Sequence, residues 1–274
     1  MIRFAFSFLA ASMLFAQSEA EAPFPPHKVI GNIHYIGTKD LAAYLITTPA
    51  GHILVNSSLE RTVPQLRENT QKLGFKFSDI KIILGSHAHS DHMEGDAKVK
   101  ELTGAKVMVM ADDVPALKAI VTNGKPHPVD GELKDHDEVR LGGTTLTAVR
   151  TPGHSKGCTT WTMKVTEEGK TYDVAIVCDL GVSSDVPLQN NFHYPTISGD
   201  YAYSFQTLSN MPVDVFLGAH GSFYQMEAKY AKLASRKKGD PNPFIDPTGY
   251  QQHVAAQRAL FYTELTVQRS RFLN

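Results

Sequence analysis

The stretch GSHAHSDH (residues 85–92) places three histidines and a carboxylate within six positions of a chain that has 12 histidines in 274 residues. It follows IKIILG (80–85), a nearly continuous apolar run that is typical of a strand buried on both faces. It precedes HMEGDAKVKEL (92–102), which we predict to form a helix. Because functional side chains of open sheets lie where strands end, the stretch predicts a site at the edge of a sheet.

The spacing within this stretch indicates metal binding. Residues two apart in an extended backbone point the same way, so His87 and His89 can converge on one point. Asp91 continues the alternation and His92 turns away as the helix begins, which favours a second, neighbouring target. Imidazole nitrogens and a carboxylate are ligands suited to zinc.

Two further histidines lie where strands are predicted to end. His154 is in TPGHSKGC (151–158), a turn between two strands, and His220 is in LGAHGS (217–222), just after an apolar strand. Taken alone, each is as readily a turn or loop residue as a ligand. Together with the first motif they favour two neighbouring histidine–carboxylate sets, with room for a bridging hydroxide between the metals.

The remainder of the chain alternates short strands with amphipathic helices. We predict strands at 27–37, 42–48, 52–56, 80–85, 106–111, 144–151, 158–165, 171–178 and 213–219. We predict helices at 63–73, 92–102, 200–209, 224–236 and 247–269, and one that begins at Asp112 as its N-cap. This order indicates an α/β protein in which two sheets pack face to face with helices outside, as one domain with an internal pseudo-repeat.

The N-terminus has the pattern of an export signal. MIRFAFSFLAASMLFAQSEA (1–20) has a basic start, an apolar run and small residues, with cleavage possible after Ala16 or Ala20. The apolar run is shorter than the roughly 20 residues of a membrane-spanning helix, although an N-terminal anchor that stays attached is the alternative. We therefore predict a signal peptide at 1–20 and a single domain at 21–274.

Composition narrows the possible partners. The formal net charge is -1, so the chain lacks the basic surface that nucleic-acid binding requires. Cys158 and Cys178 both lie in strand-like runs, where a disulfide and two buried free thiols are equally compatible with the pattern.

These motifs resemble the metallo-β-lactamase superfamily, whose motif is His-x-His-x-Asp-His with later histidines. Within it, the chain is most similar to the subclass B3 metallo-β-lactamases over essentially the whole mature chain. The stretches that carry this similarity are GGTTLTAVRTPGHSKGCTTWTM (142–163), GAHGSFY (218–224) and DPNPFIDPTGYQQHV (240–254). The resemblance implies a four-layer αβ/βα sandwich, in agreement with the pattern of strands and helices.

The resemblance also implies a zinc site and an activity. It places two Zn²⁺ ions in each chain, the first on His87, His89 and His154 and the second on Asp91, His92 and His220. It implies hydrolysis of a β-lactam amide by a hydroxide that bridges the metals, with Asp91 as the catalytic residue that orients the hydroxide and accepts its proton. We expect a periplasmic monomer that acts on a small molecule and has no lasting membrane association once the leader is removed.

Several residues depart from the family pattern or have weaker assignments. Many superfamily members have a metal-bridging aspartate, and subclass B3 has a serine, near the position of Asp179; we interpret Asp179 as a support for the ligands or a structural residue. Asn56 stands where many members have an aspartate behind the metals, which keeps hydrogen bonding but removes the charge. Ser183 and Ser184 are candidates for binding a substrate carboxylate, although the pattern favours ordinary loop serines.

Aromatic residues have similarly open roles. Phe192 and Tyr194, in NNFHYP (190–195), are candidates for the wall of a substrate pocket, and Trp161 is expected in the core.

Three alternative functions follow from the same residues. A hydrolase of this fold could act on a lactone or a thioester, which a bridging role for Asp179 would favour. A mononuclear iron oxygenase needs only two histidines and a carboxylate, which leaves the other histidines unexplained. A secreted metal-binding protein without catalysis would require a closed coordination shell.

Overall fold

The computed structural model describes residues 19–122 and 124–271, whose strands form two large sheets and a small hairpin. The predicted signal peptide, 1–20, lies outside the described residues except for its last two positions. The strands of the first half are β1 (His27–Ile30), β2 (Ile33–Tyr35), β3 (Tyr44–Thr48), β4 (Gly51–Val55), β5 (Ile80–Leu84), β6 (Lys106–Met110), β7 (Val121–Thr122), β8 (Lys125–Pro126) and β9 (Gly131–Leu133). Those of the second half are β10 (Glu138–Leu141), β11 (Thr144–Arg150), β12 (Thr159–Glu167), β13 (Lys170–Val177) and β14 (Val215–Gly218).

The two large sheets correspond to the two halves of the chain. The first has the order β1-β2-β3-β4-β5-β6-β9, antiparallel as far as β4 and parallel beyond it. The second has the order β10-β11-β12-β13-β14, in which only β13 and β14 are parallel. Strands β7 and β8 form a separate hairpin. The helices of the described residues are α1 (Val63–Lys72), α2 (Ser90–Met93), α3 (Asp96–Thr103), α4 (Val114–Leu117), α5 (Ile197–Ser209), α6 (Met226–Ala234) and α7 (Pro247–Arg271).

The first sheet is buried on both faces. In β3, Ile46 belongs to the core between the sheets, whereas its neighbour Leu45 belongs to a second core on the opposite face. Leu66 of α1 and Val99 of α3 pack into that second core. Successive strand residues point to opposite faces of a sheet. The helices therefore cover one face of the first sheet, and the second sheet packs against its other face.

The core between the sheets continues into the helices of the second half. Ala148 of β11 and Trp161 of β12 contribute to it, together with Phe205 of α5 and Phe261 of α7. Trp161 is almost fully buried, which confirms its expected place in the core. The four-layer αβ/βα sandwich is thereby confirmed. Among the described residues, no helix combines the length and apolarity needed to cross a membrane.

Some element boundaries differ from those expected. The run 27–37 is not one strand but the hairpin β1–β2, because Gly31 takes a left-handed conformation with φ +54° and reverses the chain. The helix expected at 92–102 is divided into α2 and α3. Asp112 is not an N-cap, since it lies in the 3₁₀ turn Ala111–Asp113 and α4 begins at Val114.

Strands β9 and β10 and the hairpin β7–β8 were not predicted. They are short, and none shows a long apolar run.

The two cysteines form a disulfide. Cys158 lies just before β12 and Cys178 lies just after β13, and their sulfurs are bonded with a Cα–Cα distance of 5.9 Å. Neither side chain is exposed. The question that the sequence left open is therefore answered in favour of the disulfide.

Candidate metal centre

The histidine-rich loop lies between the end of β5 and the start of α2, and it is fastened to the second sheet. The indole nitrogen of Trp161 donates a hydrogen bond to the Gly85 carbonyl at 3.0 Å. The amide of Thr159 donates to the Ser86 carbonyl at 2.8 Å. Both donors lie near the start of β12, the central strand of the second sheet, which therefore positions a loop that the first sheet supplies.

Three imidazoles converge at the first site. The nitrogen Nδ1 of His89 lies 3.0 Å from Nε2 of His87 and 3.2 Å from Nε2 of His154. The three donor atoms all lie within 4.8 Å of one another. The other ring nitrogen of His154 donates to the Gly181 carbonyl at 2.9 Å, which leaves Nε2 free to act as a ligand.

A carboxylate and two imidazoles converge at the second site. The oxygen Oδ2 of Asp91 lies 3.2 Å from Nε2 of His92 and 3.4 Å from Nε2 of His220. These three donor atoms also lie within 4.8 Å of one another. The sites are adjacent, since the ring centroids of His87 and His92 are 4.3 Å apart. Each site takes ligands from loops of both sheets.

The protonation of His87, His89, Asp91 and His92 suits metal binding. Burial lowers the pKa of His87, His89 and His92, so these rings are neutral near pH 7 and can donate a lone pair. Burial alone would raise the pKa of Asp91, but its closeness to the His92 nitrogen and to the neighbouring imidazoles holds the pKa well below its usual value. The side chains therefore fit one metal with three nitrogen ligands and another with two nitrogens and a carboxylate oxygen, both of which suit zinc.

Comparison with known proteins agrees with this geometry. The family model described as the metallo-beta-lactamase superfamily matches residues 40–220, a range that includes every ligand named above. The chain belongs to the metallo-β-lactamase superfamily. The expected membership is thus confirmed, and the fold of this superfamily implies a bound metal, typically zinc.

Solved metallo-β-lactamase structures resemble more than 90% of the chain. FEZ-1 from Legionella gormanii is 44% identical, with a TM-score of 0.86, and the match covers 91% of this chain and 98% of that one. BJP-1 from Bradyrhizobium japonicum, a subclass B3 metallo-β-lactamase, is 37% identical with a TM-score of 0.86 over 94% of this chain and 99% of that one. The expected similarity to subclass B3 is therefore confirmed.

Curated relatives found by sequence have a different activity. A hydroxyacylglutathione hydrolase from Hyphomonas neptunium is 30% identical over 43% of this chain and 41% of its own length. One from Methylobacterium sp. (strain 4-46) is 28% identical over 76% of this chain and 79% of its own. The chain spans less than half the length of the Hyphomonas neptunium enzyme and of two further hydroxyacylglutathione hydrolases that it matches.

Asp40 is a site residue that the sequence analysis missed. Its oxygen Oδ2 lies 3.1 Å from Nδ1 of His220, and its oxygen Oδ1 accepts a hydrogen bond from the Ser222 amide at 2.8 Å. A carboxylate behind a histidine fixes the ring so that the other nitrogen faces the metal, which is a recurring arrangement around zinc. No local motif marks Asp40, because it lies 180 residues from its partner in the sequence.

Asn56 lies beside His92 of the second set. Its amide nitrogen is 3.5 Å from Nδ1 of His92, and its oxygen accepts a hydrogen bond from the Ser86 amide at 2.8 Å. The residue is fully buried and has φ +63°, a conformation that asparagine tolerates better than most residues. Asn56 therefore joins the loop after β4 to both ends of the histidine motif.

Asp179 lies beside the first set. Its oxygen Oδ1 accepts a hydrogen bond from the Gly181 amide at 2.6 Å, and its oxygen Oδ2 is 3.5 Å from Nε2 of His154. It is not part of either group of three donors within 4.8 Å. The carboxylate thus supports the loop that holds His154 while its free oxygen faces the ligand nitrogen.

The substrate-binding candidates lie on the segment between β13 and α5. Ser183 and Ser184 are exposed, and neither lines the cavity of about 420 Å³ that borders the second set. Phe192 is 93% exposed, and the Tyr194 hydroxyl donates to the Ser155 carbonyl at 3.4 Å, next to His154. The cavity is lined by Ala20, Glu21, Asp40, Leu41, Leu59, Ser90, Asp91 and His220.

Proposed function

We propose that this protein is a periplasmic metallo-β-lactamase that hydrolyses the amide bond of β-lactams with two zinc ions. The observation that carries the proposal is the pair of adjacent donor sets. They lie in a chain that is 44% identical in sequence to FEZ-1, in a match that covers 91% of the chain. Hydrolases of small molecules are found among both the structural and the sequence relatives, which supports a small-molecule substrate rather than a nucleic acid.

When bound, zinc would polarise the carbonyl group and make a water-derived nucleophile available near neutral pH. The protein's own residues would orient this chemistry. His87, His89 and His154 would hold the first metal, and His92 and His220 would hold the second together with Asp91. Because its pKa is low, Asp91 stays ionised at neutral pH, so its carboxylate can hold the metal and accept a hydrogen bond that orients the attacking water.

The surrounding residues would keep these ligands in place. The Gly181 carbonyl holds the His154 ring, and the Asp40 carboxylate holds the His220 ring. No serine nucleophile is needed, because the nucleophile would be derived from water. Ser183 and Ser184 are exposed. Their proposed contact with a substrate carboxylate would require a substrate that extends over the segment between β13 and α5.

A thioester is the second candidate substrate. Two observations favour it: the curated relatives that are hydroxyacylglutathione hydrolases, and a carboxylate oxygen of Asp179 only 3.5 Å from a ligand nitrogen of His154. A separation near 3.5 Å is compatible with two donors that share one metal. If Asp179 bridged the metals, the site would hold a carboxylate in addition to Asp91.

The test compares both substrates on one preparation. Residues 17–274, which keep the contacts of Glu19 and Ala20 with Lys39 and Asp40, would be loaded with zinc and mixed with a carbapenem while the absorbance of the β-lactam is followed. We expect turnover that a chelator abolishes and zinc restores. Asp91→Asn should lower kcat by at least about 100-fold, as the loss of an acid–base group does.

Other outcomes separate the alternatives. Turnover of a hydroxyacylglutathione thioester without carbapenem hydrolysis would favour the thioesterase. Zinc binding without turnover of either substrate would favour a non-catalytic metal-binding protein.

A further inference from the structure

One buried carboxylate joins the two loops that supply the first donor set. Asp113 ends the 3₁₀ turn after β6 and is only 3% exposed. Its oxygen Oδ2 accepts hydrogen bonds from the Ala88 amide at 2.9 Å and from the Ser155 hydroxyl at 2.8 Å. Its oxygen Oδ1 accepts a hydrogen bond from the Gly157 amide at 2.6 Å.

The donors occupy telling positions in the sequence. Ala88 lies between His87 and His89, and Ser155 directly follows His154. The carboxylate therefore holds together a loop of the first sheet and a loop of the second, at the point where their three imidazoles meet. In residues 19–122 and 124–271, by contrast, no ligand of the second set forms a hydrogen bond with Asp113.

The charge of Asp113 is balanced by these donors rather than by a cation. Within the described part of the chain, Asp113 forms no ion pair with a lysine, an arginine or a histidine. Burial raises the pKa of its carboxyl group, and the three hydrogen bonds act in the opposite direction. The three hydrogen bonds replace the water that a buried carboxylate loses, so losing any one of them would be costly in free energy. This cost keeps the three donor groups close to Asp113.

Gly157 allows this close approach. A Cβ atom at position 157 would lie 2.7 Å from both the carboxyl carbon and the backbone nitrogen of Asp113. Any larger residue would push the carboxylate away from the loop of His154. Gly157 therefore offers a second, independent way to disturb the same contact.

We propose that Asp113 is a positioning residue that sets the spacing of His87, His89 and His154 and so determines the metal affinity of the first set. The inference rests on the proposed function only in that metal binds at this set. It does not depend on which substrate is hydrolysed.

Asp113→Asn is the informative substitution. An amide has one oxygen, so it can accept from the side of Ala88 and Ser155 or from Gly157, but its NH₂ group must then face a donor. The volume of the side chain is nearly unchanged. Asp112→Asn is the matched control, since Asp112 is the exposed neighbour in the same turn.

The two sets can be measured separately. His220→Ala disables the second set, and His154→Ala disables the first, so each background reports zinc binding at the other set. Zinc dissociation constants would be measured by competition with a chromophoric chelator. We expect Asp113→Asn to weaken zinc binding about 10- to 100-fold in the His220→Ala background, as substitutions behind metal ligands do. In the His154→Ala background, we expect Asp113→Asn to change the zinc dissociation constant by less than about threefold. The control substitution Asp112→Asn should change neither dissociation constant by more than about threefold.

Melting of the metal-free proteins distinguishes positioning from a general structural role. If Asp113→Asn weakened both sets equally and lowered the metal-free melting temperature in proportion, the inference would be overturned. Wild-type affinity at the first set would overturn it as well. Should Asp113→Asn fail to fold, Gly157→Ala is measured in the same two backgrounds, with the same selective loss expected.

Failure of the proposed function gives a different result. Absence of carbapenem turnover, with the selective loss of zinc affinity intact, refutes the substrate and leaves the role of Asp113 standing. A wild-type chain that binds no zinc at the first set refutes both.

Discussion

Replacing both Cys158 and Cys178 by alanine should lower the free energy of unfolding by about 3 kcal/mol. The disulfide joins residues 20 apart in sequence, and both side chains are fully buried. In the chain-entropy model, closing a loop of about 20 residues removes roughly 11 cal/mol/K from the unfolded state, which is about 3 kcal/mol at 25 °C. The loop contains β12 and β13, which pair from Trp161–Ile176 to Glu167–Lys170, so the native state would otherwise change little.

The measurement is urea denaturation followed by circular dichroism in the presence of a chelator. Metal must be removed because the sulfur of Cys178 lies 3.6 Å from Nδ1 of His87, so a change in zinc affinity would also alter the apparent stability. The wild type would be compared in oxidised and reduced form, and the double variant in the same buffers. The reduced wild type and the double variant should agree with each other.

The denaturant dependence supplies an independent check. Without the cross-link the unfolded chain is more expanded, so the m-value should rise together with the loss of stability. A double variant whose free energy of unfolding stays within 1 kcal/mol of the oxidised wild type would refute this reasoning.

Three further predictions concern single residues. Asp40→Asn should weaken zinc binding at the set that contains His220 by about 10-fold, because the amide oxygen cannot serve both His220 and Ser222; competition with a chelator measures this, and unchanged affinity would contradict it. Burial lowers the pKa of His27 to about 4 from 6.5, so the unfolded chain takes up this proton at higher pH than the native protein. The free energy of unfolding should therefore fall by about 3 kcal/mol between pH 6.5 and pH 4, and His27→Gln should remove this part of the pH dependence in urea titrations. Gly153→Ala should cost about 2 kcal/mol in the same titrations, because φ is +140° and the new Cβ would lie 2.6 Å from the Tyr201 ring; full stability would show that the ring can move aside.

The six ligands could be predicted because their signals are local. Four lie within GSHAHSDH (85–92), where spacing alone suggests the division into two sets, and the other two follow strands with clear apolar patterns. Strand ends meet at the edge of a sheet, so short-range patterns were sufficient to predict that His154 and His220 lie close to this motif.

The residues that hold the ligands could not be found in this way. Asp40 meets His220 across 180 positions, and Asp113 reaches Ser155 across 42. Asp113 carries the same side chain as its exposed neighbour Asp112, and only the folded turn shows which of the two is buried. Such contacts depend on how the two sheets pack, which a single sequence does not reveal.

The disulfide and the first hairpin depended on details of register and backbone. Trp161 pairs with Ile176, and this register brings Cys158 and Cys178, which lie just beyond the paired residues, to a Cα–Cα distance of 5.9 Å. Gly31 forms a short turn that divides the run 27–37 into β1 and β2. The hydrophobic pattern continues through this turn, so the sequence indicated a single strand.

Both donor sets draw on both sheets, so the zinc ions of the proposed enzyme would act as cross-links between the two halves of the sandwich. His87 and His89 would be joined to His154 at one point, and Asp91 and His92 to His220 at the other. Zinc affinity then becomes a measure of how far apart the halves lie. A substitution deep in the core between the sheets, remote from any ligand, should change the affinity of both sets together, whereas a substitution in the loop of His154 or in the loop of His220 should change only one.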